Sequence, residues 1–142
     1  MMDRSEEALN GAGWIPDRCV DVKPALAALE REGYSVWPEL GEFLKEFTDL
    51  VVVFERNGRQ DSLWIDPVRA CRWADRSAVA DYESRLETNL APVGYAYHDH
   101  LLLLAAIGGK FIGTYDGFVS MLGTSPKEMV NTLVAGEATS LS

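Results

Sequence analysis

The sequence has little cysteine and no long apolar run, and each shortage excludes a class of protein. Cys19 and Cys71 are the two cysteines in 142 residues, and their separation matches neither a disulfide-dense secreted scaffold nor a zinc-binding spacing. The longest apolar run, residues 101–107, is far shorter than the roughly 20 residues that cross a bilayer. The first twenty residues carry acidic side chains where a secretory signal needs an apolar stretch. We therefore expect a soluble, cytoplasmic protein with reduced thiols and no membrane partner.

Basic residues are also scarce. The chain has 13 Lys and Arg against 22 Asp and Glu, which gives a formal net charge of −9. Proteins that bind duplex nucleic acid use Lys and Arg to displace the counterions of the phosphates, so this charge argues against direct nucleic-acid binding and favours a basic protein partner. Most of the negative charge lies in residues 1–66, whose formal charge is −7. The plain alternative is that the charge only keeps a small domain soluble.

Apolar residues recur at helical spacing in four segments. The predicted amphipathic helices lie between Asp21 and Gly33, from Pro38 to Phe47, between Ser77 and Leu90, and from Pro126 to Ala135. The last has the strongest boundary signals, because Ser125 caps it, Glu128 completes a capping box and Gly136 ends it.

Shorter runs of apolar and β-branched residues predict about five strands. They lie at residues 50–54, 62–65, 93–97, 101–107 and 110–114. Helices and hairpins in this order predict an α+β fold, in which an antiparallel sheet of about five strands packs on one side against amphipathic helices. We expect a single domain over residues 1–142, with residues 1–11 and 137–142 loosely ordered, and a monomer or weak dimer.

The two histidines form the segment His98-Asp99-His100, which invites an enzyme interpretation. In a strand, His98 and His100 would point to one face and could share a metal ion. The chain has no third histidine and no acid at a diagnostic spacing, so we favour a polar hairpin connection and expect no catalytic residue, metal or cofactor. A small metal-dependent hydrolase that uses both histidines stays as an alternative.

Three glutamates share one face of the second predicted helix. Glu39, Glu42 and Glu46 lie at positions i, i+3 and i+7 beside the apolar face, with Lys45 expected to point away. These three residues form an acidic stripe. The stripe could dock a cationic partner, or it could be an ordinary solvated surface.

A second candidate surface is a loop-rich edge with tryptophan among carboxylates. Its residues are Asp61, Trp64, Asp66 and Asp99. An exposed tryptophan can anchor an interface and slow dissociation, although tryptophan is more often a core residue.

Several short motifs, in order along the chain, resemble the SUKH superfamily of bacterial immunity proteins, specifically its third subfamily. The opening motifs are Ala12-Gly13-Trp14 with Pro16 and Arg18, Val20-Asp21, Gly33 at a helix end, and Glu42-Phe43-Leu44 with Phe47 and Leu50. The later motifs are Asp66-Pro67 followed by a short helical turn, Tyr82, Leu90-x-Pro92-Val93-Gly94, and Leu122-Gly123 before the Ser125 cap. The resemblance covers about residues 12 to 136.

The resemblance implies a SUKH-like α+β fold and the role of an antidote. Such proteins are similar to immunity proteins that bind a polymorphic or contact-dependent toxin domain, often a nuclease, and block it in the cytoplasm. Because the family is sequence-diverse at its partner-facing surface, the resemblance implies no universal catalytic or binding residue. Because eukaryotic relatives of the superfamily look like scaffold and regulatory proteins, a regulatory protein-binding module is the alternative.

Overall fold

The computed structural model describes residues 4–136 and 139–140 of the chain. Within them, six helices and seven strands follow one another as α1 (Arg4–Gly11), α2 (Lys23–Arg31), α3 (Pro38–Phe47), β1 (Val51–Arg56), β2 (Arg59–Ile65), α4 (Pro67–Trp73), α5 (Arg76–Leu86), β3 (Leu90–Ala96), β4 (Leu101–Ala106), β5 (Phe111–Tyr115), β6 (Phe118–Gly123), α6 (Pro126–Ala135) and β7 (Thr139–Ser140). The strands form one antiparallel sheet in sequence order. The predicted α+β class is confirmed.

The structure corrects the predicted elements in three places. Strands β6 and β7 were not among the predicted elements, so the sheet has more than five strands, whereas the short helical turn that follows Asp66-Pro67 is present as helix α4. The third predicted helix, α5, ends at Leu86 because Glu87 adopts a left-handed conformation with φ of 54°. Leu90 and Pro92, which we had placed in or after that helix, belong to β3 and pair with β4.

Side chains alternate between the two faces of the sheet, and helices pack on several of its strands. Val52 and Leu63 lie opposite each other on β1 and β2 and are fully buried, whereas their neighbours Val53 and Trp64 face the other way and are partly exposed. Helix α6 packs on β1 and β6, while α4 packs on β3. The predicted packing of the antiparallel sheet against amphipathic helices is confirmed.

Residues 4–11, part of the segment that we expected to be loosely ordered, form α1. Leu9 of this helix is buried in the core, and Glu6 pairs with Lys127 of α6 at 2.9 Å. At the other end, β7 pairs with β6, Ser120 lying opposite Ser140. Residues 1–3, 137–138 and 141–142 of the expected loose segments lie outside the described residues.

A buried phenol makes the fold sensitive to alkaline pH. Burial raises the pKa of Tyr34 to about 12, against the opposing effect of the Arg76 guanidinium, which lies 4.5 Å from the ring centroid. An unfolded tyrosine ionises near pH 10, so the unfolded state loses this proton first and the free energy of unfolding falls between about pH 10 and 12.

We therefore expect Tyr34→Phe to lose less stability than the wild type between pH 7 and pH 11. Urea unfolding at the two pH values measures this difference. Tyr115→Phe, which removes a half-exposed hydroxyl, is the control and should follow the wild type. An equal loss in wild type and Tyr34→Phe would contradict the assignment to Tyr34.

Candidate functional site

Glu39, Glu42 and Glu46 lie on helix α3, and we call them the α3 stripe. The stripe is on the protein surface, but its three carboxylates are not equivalent. Glu39 and Glu42 are exposed, whereas Glu46 is half-buried and its Oε1 accepts a hydrogen bond from Trp14 Nε1 at 3.1 Å. The expectation that Lys45 points away was wrong. Lys45 Nζ lies 3.2 Å from Glu42 Oε1, because residues three apart are neighbours on a helix. The free negative charge of the stripe is therefore smaller than the sequence suggests.

Glu46 also belongs to the contact that holds the segment before α2 against α3. Arg18 Nη1 donates to the Glu46 carbonyl oxygen at 2.8 Å, and the Val20 amide donates to the Lys45 carbonyl oxygen at 2.9 Å. A change at Glu46 would thus alter local packing as well as charge. Glu39 and Glu42 are the two stripe residues that can act on a partner through charge alone.

Three of the four residues of the second surface meet around Arg69 of α4. The Arg69 amide donates to Asp66 Oδ1 at 3.1 Å, the N-cap bond of this helix. Arg69 Nη2 lies 3.3 Å from Asp99 Oδ2, and Nη1 donates to the Tyr95 hydroxyl at 2.7 Å. The tertiary fold therefore brings Asp66 and Asp99 to the same residue, but only Asp99 pairs with the guanidinium, and this pairing reduces the negative charge that Asp99 offers to a partner.

Aromatic rings surround the same arginine. Tyr95 stacks on Trp64, with centroids 5.9 Å apart and planes at 16°, and meets Trp73 edge-on at the same centroid distance. The Arg69 guanidinium lies 4.7 Å from the Tyr95 centroid. We call Trp64, Arg69, Trp73, Tyr95 and Asp99 the Tyr95 cluster. Tryptophan, tyrosine and arginine are the residue types that dominate binding energy at protein interfaces.

Tyr95 is the buried residue at the centre of this cluster. Its ring is almost fully covered, while Trp64 and Trp73 remain 38% and 50% exposed. Burial raises the pKa of Tyr95, which the hydrogen bond from Arg69 partly offsets. The phenol therefore stays neutral at physiological pH and accepts the Arg69 bond, and this fixes the guanidinium over the ring.

Asp61 does not join the other three residues. It is only 6% exposed and lies between Arg56 Nη1 at 3.7 Å and His98 Nε2 at 3.9 Å. Its Oδ1 also accepts the Ser62 amide at 2.8 Å. Asp61 therefore lies near the start of β2, beside the β3–β4 turn, and offers little surface to a partner.

The two histidines lie in a turn, so the strand argument for a shared face does not apply to them. Tyr97, His98 and Asp99 all have positive φ, between 55° and 66°, and residues 97–100 connect β3 to β4. Among the described residues, no three His, Cys, Asp or Glu side chains are placed to hold a metal ion.

The two cysteines differ in exposure. Cys19 is exposed and Cys71 is buried in α4. Burial raises the pKa of the Cys71 thiol, against a smaller opposing effect of Arg72. A thiol of this kind is a poor nucleophile at neutral pH.

Sequence reasoning missed Arg69 and Tyr95, the residues that organise the cluster. Arg69 follows Asp66 by one helical turn, which is a capping pattern, but its partners Tyr95 and Asp99 are 26 and 30 residues away. The tertiary fold alone shows that they meet.

None of the helices in the described part of the chain has the length and apolar character needed to cross a bilayer. A search of curated proteins and a search of solved structures each gave no match. A family model, described as SUKH-3 immunity protein, matches residues 1–136. This match agrees with the order of motifs along the chain, and a cognate toxin is the partner that an immunity protein implies. The chain belongs to the SUKH-3 immunity protein family.

Proposed function

We propose that this immunity protein neutralises a basic toxin domain, a nuclease, by binding it directly in the cytoplasm and without catalysis. Family membership over residues 1–136 carries the immunity role. The net charge of −9 supports a basic toxin, because a nuclease must present positive charge to phosphates. An acidic protein can occupy such a surface and compete with the nucleic acid.

The two candidate surfaces suit different steps of binding. Exposed charges such as Glu39 and Glu42 act mainly on the rate of association, because they attract a basic partner over about 8–10 Å before contact. Exposed aromatic rings such as Trp64 and Trp73 act mainly on dissociation, because they must be rehydrated when the complex opens. The proposed complex uses the α3 stripe for steering and the Tyr95 cluster for anchoring.

Co-expression with the toxin encoded by the neighbouring gene tests the proposal. We expect restored growth and a complex that survives gel filtration. Rescue without a complex would contradict the binding mechanism. Stoichiometric zinc in the purified protein, with turnover of a substrate, would favour the metal-dependent hydrolase. A stable complex with a host regulatory protein, without any rescue, would favour the regulatory module.

The steering role predicts a salt-dependent association rate. Glu39→Gln with Glu42→Gln should slow association with the toxin by about three- to tenfold at low salt and much less near physiological salt, because salt screens exposed charges. Glu46 is left unchanged, since its bond to Trp14 would mix packing with charge. Stopped-flow fluorescence at two salt concentrations measures the rates.

The matched control removes two exposed carboxylates elsewhere, as Glu30→Gln with Asp81→Asn. It should slow association less than the stripe variant. Equal rates for the wild type, the control and the stripe variant at low salt would show that steering does not use α3.

A further inference from the structure

A groove of about 360 Å³ lies next to the Tyr95 cluster. It runs between the start of α5, the β3–β4 turn and the β5–β6 hairpin. Leu102 and Thr114, which are paired across β4 and β5, lie in it. Aromatic rings of Trp73, Tyr82 and Tyr115 line it further. The groove is therefore apolar inside and built from three separate parts of the fold.

Three carboxylates and one histidine line the groove. They are Asp75, Asp99, Asp116 and His100, and no lysine or arginine lines it. Asp99 is compensated by Arg69, but among the described residues no ion pair involves Asp75 or Asp116. Asp75 Oδ1 accepts the Ser77 and Ala78 amides as the cap of α5, which fixes its position at the groove. The groove thus combines aromatic surface with two carboxylates that have no cationic partner.

The β5–β6 hairpin adds exposed apolar surface beside the groove. Tyr115 and Phe118 flank the turn, are about half exposed, and have ring centroids 5.3 Å apart. Arg85 Nη1 of α5 donates to the Gly117 carbonyl oxygen at 3.4 Å, which ties the turn to the helix. A neighbouring pair of exposed aromatic rings on a tethered turn is typical of a binding surface.

We propose that this groove binds an arginine side chain of a basic segment of the toxin domain. The inference rests on the proposed function and adds the surface and the recognised group. A guanidinium can stack on the Trp73 or Tyr115 ring while it pairs with the Asp75 and Asp116 carboxylates. Arginine fits better than lysine because its planar group both stacks and donates two parallel hydrogen bonds.

Charge complementarity selects this occupant over a second copy of the chain. Two chains of net charge −9 repel each other, and the groove would bring carboxylates of both copies together unless a basic patch faced it. A cationic segment replaces that repulsion with attraction. The apolar rings of Tyr115 and Phe118 then contact the residues that flank the arginine.

Arginine binding by the groove can be tested without the toxin. A negative result is then distinguishable from failure of the proposed immunity role. The probe is a blocked tetra-arginine peptide, titrated into the ¹⁵N-labelled full chain and followed by NMR. We expect shifts at the Trp73 indole N–H and at the amides of Asp75, Tyr115 and Asp116. Tetra-lysine should bind at least threefold more weakly.

Asp75→Asn with Asp116→Asn is the decisive variant, because asparagine keeps a side-chain oxygen for the α5 cap while it removes both charges. It should weaken tetra-arginine binding at least fivefold. The control Asp17→Asn with Asp81→Asn removes two exposed carboxylates outside the groove and should bind within twofold of the wild type.

Three outcomes would overturn the proposal. The first is that the peptide shifts mainly the amide signals of Glu39 and Glu42. The second is that the control variant weakens peptide binding as much as the decisive variant does. The third is that the signals of the groove broaden with protein concentration in the absence of peptide, which would indicate self-association. If the peptide result holds but the wild type forms no complex with the neighbouring toxin, the proposed function fails and the arginine-binding groove stands.

Discussion

Replacement of Gly94 by alanine is expected to lower the free energy of unfolding by about 3–5 kcal/mol. A Cβ atom at this position would overlap the Trp64 carbonyl oxygen and lie 3.2 Å from Ile65 Cα, both in the backbone of β2. Rotation of a side chain cannot relieve such contacts, so β2 and β3 would have to separate. Gly94 also directly follows the irregularity in the β3–β4 register.

Urea unfolding followed by circular dichroism measures this effect. Gly41→Ala is the matched control, because Gly41 lies inside α3 and an added Cβ meets no atom within 4 Å. Alanine at such a helical position should stabilise the protein by up to about 1 kcal/mol. A loss below about 1 kcal/mol for Gly94→Ala would contradict the close approach of the two strands.

The pattern of the sequence predicts elements best where local chemistry defines both ends. Helix α6 has the predicted bounds, its cap Ser125 Oγ accepts the Glu128 amide at 3.1 Å, and Gly136 ends it with φ of 72°. Strand β6 has a signal that the predicted elements did not use, because the Asp116-Gly117 pair between two apolar runs is typical of a two-residue hairpin. Asp116 and Gly117 have positive φ, of 45° and 85°, and β6 pairs with β5 across them.

The candidate site was predictable only in part. Helical spacing places Glu39, Glu42 and Glu46 on one face, but the partners of Glu46 come from the segment before α2. Likewise, Asp66 and Trp64 are close in sequence, whereas Tyr95 joins them through strand pairing between β2 and β3. Spacing predicts which residues share an element, and tertiary contacts decide which charges remain available.

Glu83 illustrates the same limit, because its sequence position suggests a solvated helix surface. In the structure its Oε1 accepts Arg76 Nη1 at 3.0 Å, and its Oε2 accepts the amide of the buried Leu90 at 2.9 Å. Arg76 also donates through Nε to the Gly33 carbonyl oxygen at 3.2 Å. One carboxylate thus connects α5 to the start of β3 and, through Arg76, to the end of α2.

We expect Glu83→Ala to lower the free energy of unfolding by about 2–3 kcal/mol, chiefly because the Leu90 amide would be left buried without an acceptor. Urea unfolding checks the value. Asp81→Ala on the same helix is the control, since Asp81 is exposed and its loss should change stability by less than about 0.5 kcal/mol. Glu83→Gln keeps an acceptor for Leu90 and should fall between the two.

Loss of the Glu83 contacts should also affect the groove, because helix α5 contributes Asp75 from its N-cap and Tyr82 from its interior. If Glu83 fixes α5 against β3, then Glu83→Ala should weaken tetra-arginine binding even at temperatures where the chain is fully folded, while Glu83→Gln should weaken it less. Equal binding by wild type and Glu83→Ala, together with the expected loss of stability, would show that the cap bonds of Asp75 and the Arg85 contact with Gly117 hold the groove without this carboxylate.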